Sequence, residues 1–121
     1  MIVDNPGCLL ASNKSIDEKY PKLVQAVFCA HPGFFSVPHD IHNIATEFEF
    51  LFAEKDFEIS SKQMQKVREL VAAMPKKIDL HYYPNTAHGF AVRGNEKDPI
   101  VKAARDDAFR KASAFLKRFV V

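Results

Sequence analysis

Three short apolar runs alternate with two segments of helical periodicity, and this alternation limits the possible folds more than any other feature of the chain. The runs are residues 24–30 (VQAVFCA), 48–53 (FEFLFA) and 78–83 (IDLHYY). The second run is aromatic and almost continuously apolar, as expected of a strand that is covered on both faces. Strands that alternate with helices favour an α/β fold with a mainly parallel sheet and right-handed crossovers. We therefore predict about three strands flanked by helices.

The two helical segments have recognisable beginnings. Ser60 can cap a helix, because its side chain can accept from a backbone amide while Gln63 reaches back, and apolar residues then recur at helical spacing up to Pro75. The dipeptide Asp98-Pro99 predicts the start of the last helix. The apolar face of that helix is formed by Val101, Ala104, Ala108, Ala112, Phe115 and Phe119.

Size, charge and cysteine content restrict the class of protein. The 121 residues suit a single domain over 1–121, and 17 Lys+Arg against 15 Asp+Glu give a net charge of +2 with the two signs interleaved. That pattern argues against a nucleic-acid partner, and no apolar run is long enough for a membrane span or a signal peptide. Cys8 and Cys29 make no disulfide framework. We expect a cytoplasmic protein with no membrane partner, and we predict no cofactor.

Polar residues follow each predicted strand at the position where it ends. His31 follows the first run, Asp56 the second, and His88 and Arg93 the third. Carboxyl ends of parallel strands share one edge, where ligand sites of open α/β sheets lie. If the second and third strands are neighbours, Asp56 and His88 come within hydrogen-bond reach, and His88 then has one ring nitrogen left as a general base. The alternative is that both are ordinary turn residues.

Four segments, "FCAHPGFF", "FLFAEKDFEIS", "HYYPNTAHGFAVRG" and "AARDDAFRKASAFLKRF", resemble in this order the C-terminal half of the dienelactone hydrolase family, above all its fungal members. The resemblance covers about residue 24 to the end. It implies a truncated α/β-hydrolase-like three-layer sandwich that lacks the family's N-terminal half. It further implies that Asp56 is the catalytic acid and His88 the base, that Arg93 holds a substrate carboxylate, and that His31 lies beside the active site.

The nucleophile of that family sits in a Gly-x-Cys-x-Gly elbow, which this chain lacks. Its glycines are at 7, 33, 89 and 94, and no two are four apart. Cys8 is the nearest substitute, since it precedes the "AHP" segment by about the interval expected of a family nucleophile. Its flanking residues differ from the elbow, so the other interpretation is a small apolar side chain. Cys29, inside a predicted strand, is expected in the core.

The segment "HPGFFSVPHDIH" offers two further candidates. Phe34 and Phe35 lie between two prolines and are either core residues or a wall of an apolar substrate pocket. His39 and His42 are three residues apart, so one helical turn can direct both at a metal. Such spacing is common in surface loops, and we predict no metal.

Two functions follow from these patterns. The first is hydrolysis of a small ester or lactone through a nucleophile, His88 and Asp56. The second is a degenerate hydrolase fold without a nucleophile, which binds a small molecule or uses His88 and Asp56 as a non-hydrolytic acid-base catalyst (isomerase, cyclase or dehydratase). The missing elbow favours the second function, and the retained Asp56 and His88 favour a catalytic role of some kind.

The absence of the family's earlier strands leaves the first predicted strand with an open edge. We expect this edge to be covered by a second copy in a homodimer, unless the chain is a piece of a longer protein or comes from a truncated gene. Gel filtration is expected to give a dimer, and a well-behaved monomer would contradict the argument.

Overall fold

A computed structural model describes residues 25–33, 36–44, 46–75 and 78–119. Three strands and four helices follow one another along the chain. In order they are β1 (Ala26–Ala30), α1 (His39–His42), β2 (Glu47–Lys55), α2 (Ser61–Ala73), β3 (Ile78–Ala87), α3 (Phe90–Arg93) and α4 (Pro99–Phe119).

The described strands form one parallel sheet in the order β1-β2-β3. Phe50 in the central strand lies opposite Cys29 of β1 and Leu80 of β3. This arrangement confirms the predicted small parallel sheet. It also makes β2 and β3 neighbours, which the expected proximity of Asp56 and His88 requires.

The side chains of β2 alternate between two cores. Phe48, Phe50 and Phe52 are buried against α2, in a cluster that includes Met64 and Val67. The rings of Phe50 and Phe52 stack at 5.3 Å between centroids.

On the opposite face, Leu51 and Ala53 pack with Ala108, Ala112 and Phe115 of α4. A helix therefore covers each face of the sheet, which gives the three-layer sandwich predicted from the sequence. Residues 50–53 of β2 are covered on both sides, and this part of the strand is continuously apolar. Cys29 is buried in the first core, as predicted.

The end of β3 differs from the sequence prediction. The run predicted for this strand ends at residue 83, directly before Pro84, but β3 continues to Ala87 through a bulge in which residues 84–86 lie opposite one residue of β2. A bulge tolerates a proline because its residues leave the ladder of hydrogen bonds. Asn85 adopts a positive φ of 60°, and its amide donates to the Glu54 carboxylate at 2.9 Å. The bulge sets the direction in which the chain leaves the sheet toward His88.

The four-residue helices α1 and α3 were not predicted, because each is shorter than the window that a helical period requires. In the described part of the chain, no helix has both the length and the apolar character that crossing a membrane would demand.

The beginnings of α2 and α4 confirm the predicted caps. The Ser60 hydroxyl accepts from the Gln63 amide at 3.2 Å, and the Gln63 side chain accepts from the Ser60 amide at 2.9 Å. At α4 the Asp98 carboxylate accepts from the Ile100 amide at 2.9 Å, directly before Pro99. Each cap satisfies backbone donors that the first turn of a helix leaves unpaired.

Replacing the Ser60 cap tests how much α2 contributes to the stability of the fold. We expect Ser60→Ala to lower the free energy of unfolding by about 1 kcal/mol, whereas Ser60→Asp retains the acceptor and most of the stability. Urea unfolding followed by circular dichroism measures the difference. Ser61→Ala, one residue further on and exposed, is the matched control. Equal midpoints for Ser60→Ala and the wild type would contradict the cap.

Candidate functional site

A polar residue follows each of the three strands, and the parallel sheet brings all three to one edge. His31 directly follows β1, Asp56 directly follows β2, and His88 directly follows β3. This edge is the one at which α/β sheets hold their ligands. The structure therefore places the candidate residues together, although they are far apart in the sequence.

Asp56 and His88 form a hydrogen-bonded pair. Nδ1 of His88 lies 2.9 Å from one carboxylate oxygen of Asp56 and 3.0 Å from the other. The Asp56 side chain is 0% exposed and that of His88 is 11% exposed. An ionised carboxylate can only accept, so Nδ1 carries the proton of the neutral ring and Nε2 is left as the acceptor. The ring can therefore take a proton at Nε2 while Asp56 balances the charge.

Backbone contacts hold both partners in position. One oxygen of the Asp56 carboxylate accepts from the Glu58 amide at 2.8 Å, which closes a short turn. The His88 amide donates to the Lys55 carbonyl at 2.9 Å, so the two loops are joined immediately before the acid and at the histidine itself. The pair is fixed by its loops as well as by its own bond.

His31 packs beside the pair from the end of β1. Its ring centroid lies 5.0 Å from that of His88, with the planes at 61°, and 6.0 Å from that of Phe90. The residue is buried and has a positive φ of 40°, an uncommon conformation for a side chain of this size. Its amide donates to the Leu51 carbonyl at 2.7 Å. His31 therefore limits the space into which the His88 ring can move.

Gly89 and Arg93 shape the surface next to His88. Gly89 has a φ of 89°, and a Cβ placed on it would lie only 2.8 Å from Nε of Arg93. The glycine thus allows both the left-handed turn and the close approach of the guanidinium. His88 and Arg93 line the same hollow of about 300 Å³, together with Lys55. The positive charges of Arg93 and Lys55 at this hollow favour a ligand with a negative charge.

One residue of the site was not identified from the sequence. Phe57 lies with its ring centroid 4.6 Å from that of His88 and is 82% exposed. Its position directly after the candidate acid was the available signal. An isolated phenylalanine in a charged segment does not by itself reveal which residue it will contact.

The structure brings together four of the residues expected at the site: Asp56, His88, His31 and Arg93. The other three, Cys8, Phe34 and Phe35, lie outside the described residues. His39 and His42 are exposed on α1, and His39 is hydrogen-bonded to Asn43. No cluster of three candidate metal ligands occurs within the ranges that the structure describes.

A second carboxylate-histidine pair lies on the same two strands, seven residues earlier on β2. An oxygen of Glu49 lies 3.0 Å from Nε2 of His81, and Glu49 is only 3% exposed. Burial raises the pKa of the Glu49 carboxyl above its usual range, and the bond with His81 partly opposes this shift. The pair was not predicted from the sequence, because Glu49 lies inside an apolar run. The parallel register, which aligns Glu49 with Asp79, is what brings His81 near.

Comparisons with known proteins identify the family and the fold of this chain. The sequence model of the dienelactone hydrolase family matches residues 10–120. A search of curated proteins finds none that matches. A crystal structure of a predicted CIB-like hydrolase from Thermoplasma acidophilum is similar over 88% of this chain and 48% of its own, with 14% identity and a TM-score of 0.52.

An alpha-beta serine hydrolase homologue from Coxiella burnetii is similar over 81% of this chain and 44% of its own, with 12% identity and a TM-score of 0.49. The chain thus spans about half the length of each of these two structures. The Thermoplasma protein is only 14% identical in sequence, so its structural similarity establishes a hydrolase-like fold.

The raised pKa of Glu49 predicts that ionisation of this carboxyl lowers the free energy of unfolding as the pH rises. The folded protein holds this proton more tightly than the unfolded chain, so the carboxyl contributes stability below its ordinary pKa of 4.5 and loses that contribution as the pH rises through its folded value. Glu49→Gln cannot ionise. We therefore expect the free energy of unfolding of Glu49→Gln, relative to the wild type, to increase as the pH is raised from 4.5 toward neutral.

Urea unfolding at a series of pH values measures this difference. Glu69→Gln, which removes an exposed carboxylate of α2, is the control and should show a much weaker trend. A constant difference between Glu49→Gln and the wild type across the series would contradict the assigned shift.

Proposed function

Because this chain belongs to the dienelactone hydrolase family, we propose that it hydrolyses a small ester or lactone, with His88 as the general base and Asp56 as the acid that orients it. The observation that carries the proposal is the bond between Nδ1 of His88 and the buried Asp56 carboxylate at the carboxyl edge of the sheet. This bond leaves Nε2 able to accept a proton, as the base of an acyl-transfer reaction must.

The proposed reaction has two stages, acylation and deacylation, and His88 transfers a proton in each. Nε2 of His88 takes the proton of a nucleophile, which attacks the ester carbonyl and forms a tetrahedral intermediate. His88 returns the proton to the leaving oxygen, and an acyl-enzyme remains. His88 then removes a proton from water, which attacks the acyl carbonyl. The bond between the acyl group and the nucleophile breaks, His88 returns the proton to the nucleophile, and the acid is released. Throughout, Asp56 keeps the ring in the tautomer with its proton on Nδ1 and balances the imidazolium charge.

Cys8 is the proposed nucleophile, on the family resemblance and its interval from the "AHP" segment. A thiol at this position would form a thioester as the acyl-enzyme, and only its thiolate form attacks. In the proposed reaction His88 takes the thiol proton. A direct measurement of acylation is therefore the sharpest test of this assignment.

We further propose that the substrate carries a negative charge. Arg93 and Lys55 both line the hollow beside His88, and a carboxylate there would pair with either cation. The folded position of Arg93 over Gly89 keeps the guanidinium close to the base. The proposed substrate is thus a small anionic ester or lactone, and the proposed reaction needs no cofactor.

The missing elbow supports a second candidate, in which no nucleophile acts. In that case His88 would remove a proton from a bound small molecule and return it elsewhere, as in an isomerase, cyclase or dehydratase. The same Asp56 bond would orient the ring. The two candidates differ in whether an acyl group becomes attached to the protein.

An activated aryl ester distinguishes the candidates. We expect the wild type to release a burst of phenol equal to the enzyme concentration, followed by slower turnover. His88→Ala should lower the rate by about 10²- to 10⁴-fold, the usual contribution of a general base. Cys8→Ala should remove the burst, and Asp56→Asn should slow both phases because its amide no longer selects the required tautomer.

His42→Ala, which removes an exposed histidine of α1, is the control and should behave as the wild type does. Mass spectrometry of the quenched reaction should find the acyl group on Cys8. No turnover in the wild type would reject hydrolysis, and a burst that survives Cys8→Ala would reject Cys8 as the nucleophile.

A further inference from the structure

The ring of Phe57 is exposed to solvent although it lies against the proposed base. Its exposed fraction is 82%, and its centroid is 4.6 Å from that of the His88 ring with the planes at 47°. Single exposed apolar side chains are common and need no explanation by themselves. This one contacts the imidazole whose Nε2 is left for proton transfer, so an aromatic group bound on the Phe57 ring lies beside His88.

The backbone of Phe57 is held by the same bonds that hold the candidate pair. The residue lies between Asp56, whose carboxylate bonds His88, and Glu58, whose amide bonds that carboxylate. One residue before Asp56, the Lys55 carbonyl accepts from the His88 amide. The ring therefore projects from an anchored turn, whose backbone is held in place relative to His88.

Other exposed apolar side chains in the described ranges lie elsewhere on the molecule. Tyr82 is on β3, with the Arg68 guanidinium 5.5 Å from its ring centre. Ile100 and Phe109 are on α4, and Val92 is on α3. Within these ranges Phe57 is the large exposed apolar residue whose ring contacts His88.

We propose that Phe57 is a specificity-determining residue, whose exposed ring binds an aromatic group of the substrate beside the carbonyl that reacts at His88. The part of this inference that concerns the reaction rests on the proposed hydrolysis, whereas the binding of the aromatic group does not depend on it. Aromatic rings attract one another in offset or edge-to-face arrangements with centroids 4.5 to 7 Å apart. A ring that binds Phe57 in this way lies close enough to His88 for an attached ester to reach Nε2.

Binding of an unreactive acid tests the proposal without turnover. The probes are benzoate, cyclohexanecarboxylate and acetate, and the variants are Phe57→Leu and Phe57→Ala. NMR titration of the His88 ring C–H signals reports binding at this position. Phe57→Leu should move these signals even without a probe, because the ring current of Phe57 is lost. Benzoate should bind about five- to tenfold more weakly to both variants, the size expected for one aromatic contact.

Acetate should bind the wild type and both variants equally, and cyclohexanecarboxylate should be affected less than benzoate. Phe109→Ala, which removes an exposed ring of α4, is the matched control. Equal benzoate affinity in the wild type and Phe57→Ala would overturn the proposal. A change in oligomeric state on gel filtration without a change in benzoate binding would also overturn it, because the ring would then belong to a contact between copies.

Kinetics with non-aromatic leaving groups tests the same site during the reaction. For ethyl phenylacetate, Phe57→Leu should raise KM about five- to tenfold with kcat nearly unchanged, and for ethyl acetate neither constant should change. A loss in kcat alone would overturn the proposal, because it would indicate displacement of His88. If benzoate binding depends on Phe57 but no ester is hydrolysed, the aromatic site is supported and the proposed hydrolysis is rejected.

Discussion

Burial of β2 on both faces is the constraint on which the described structure depends. Three phenylalanines of this strand pack against α2, and Leu51 and Ala53 pack against α4. A strand buried in this way lies inside the sheet, with β1 and β3 on either side. Its neighbours are parallel to it, so all three strands end at the same edge. The meeting of His31, Asp56 and His88 follows from this packing.

The site also depends on irregular backbone at that edge. The bulge at residues 84–86 precedes His88, whose amide then reaches the Lys55 carbonyl. The positive φ of Gly89 turns the chain directly after the histidine. The two cores fix where the edge lies, and the local backbone fixes how the histidine faces the aspartate.

Features encoded by neighbouring residues could be predicted from the sequence, and so could the approach of Asp56 and His88, because each directly follows a strand that ends at the same edge. Other features that depend on register could not. The Ser60 cap, the Asp98-Pro99 helix start and the buried central strand each have a signal within a few residues. The continuation of β3 past Pro84 depends on a bulge opposite β2. The bond between Glu49 and His81 and the contact between Phe57 and His88 each join residues more than thirty positions apart. No local pattern reports such distances.

Two carboxylate-histidine pairs, one on β2 and β3 and one directly after these strands, show why position matters more than composition. Glu49 and His81 lie along the strands on the face that carries α4, and that carboxylate is almost completely buried. Asp56 and His88 lie at the carboxyl edge, where a hollow of about 300 Å³ reaches the imidazole. The residue types and bond lengths are nearly the same. A hollow of about 220 Å³ beside the first pair is lined by Glu49 but not by His81, whereas the hollow at the carboxyl edge is lined by the His88 ring itself. For that reason we assign the chemistry to His88.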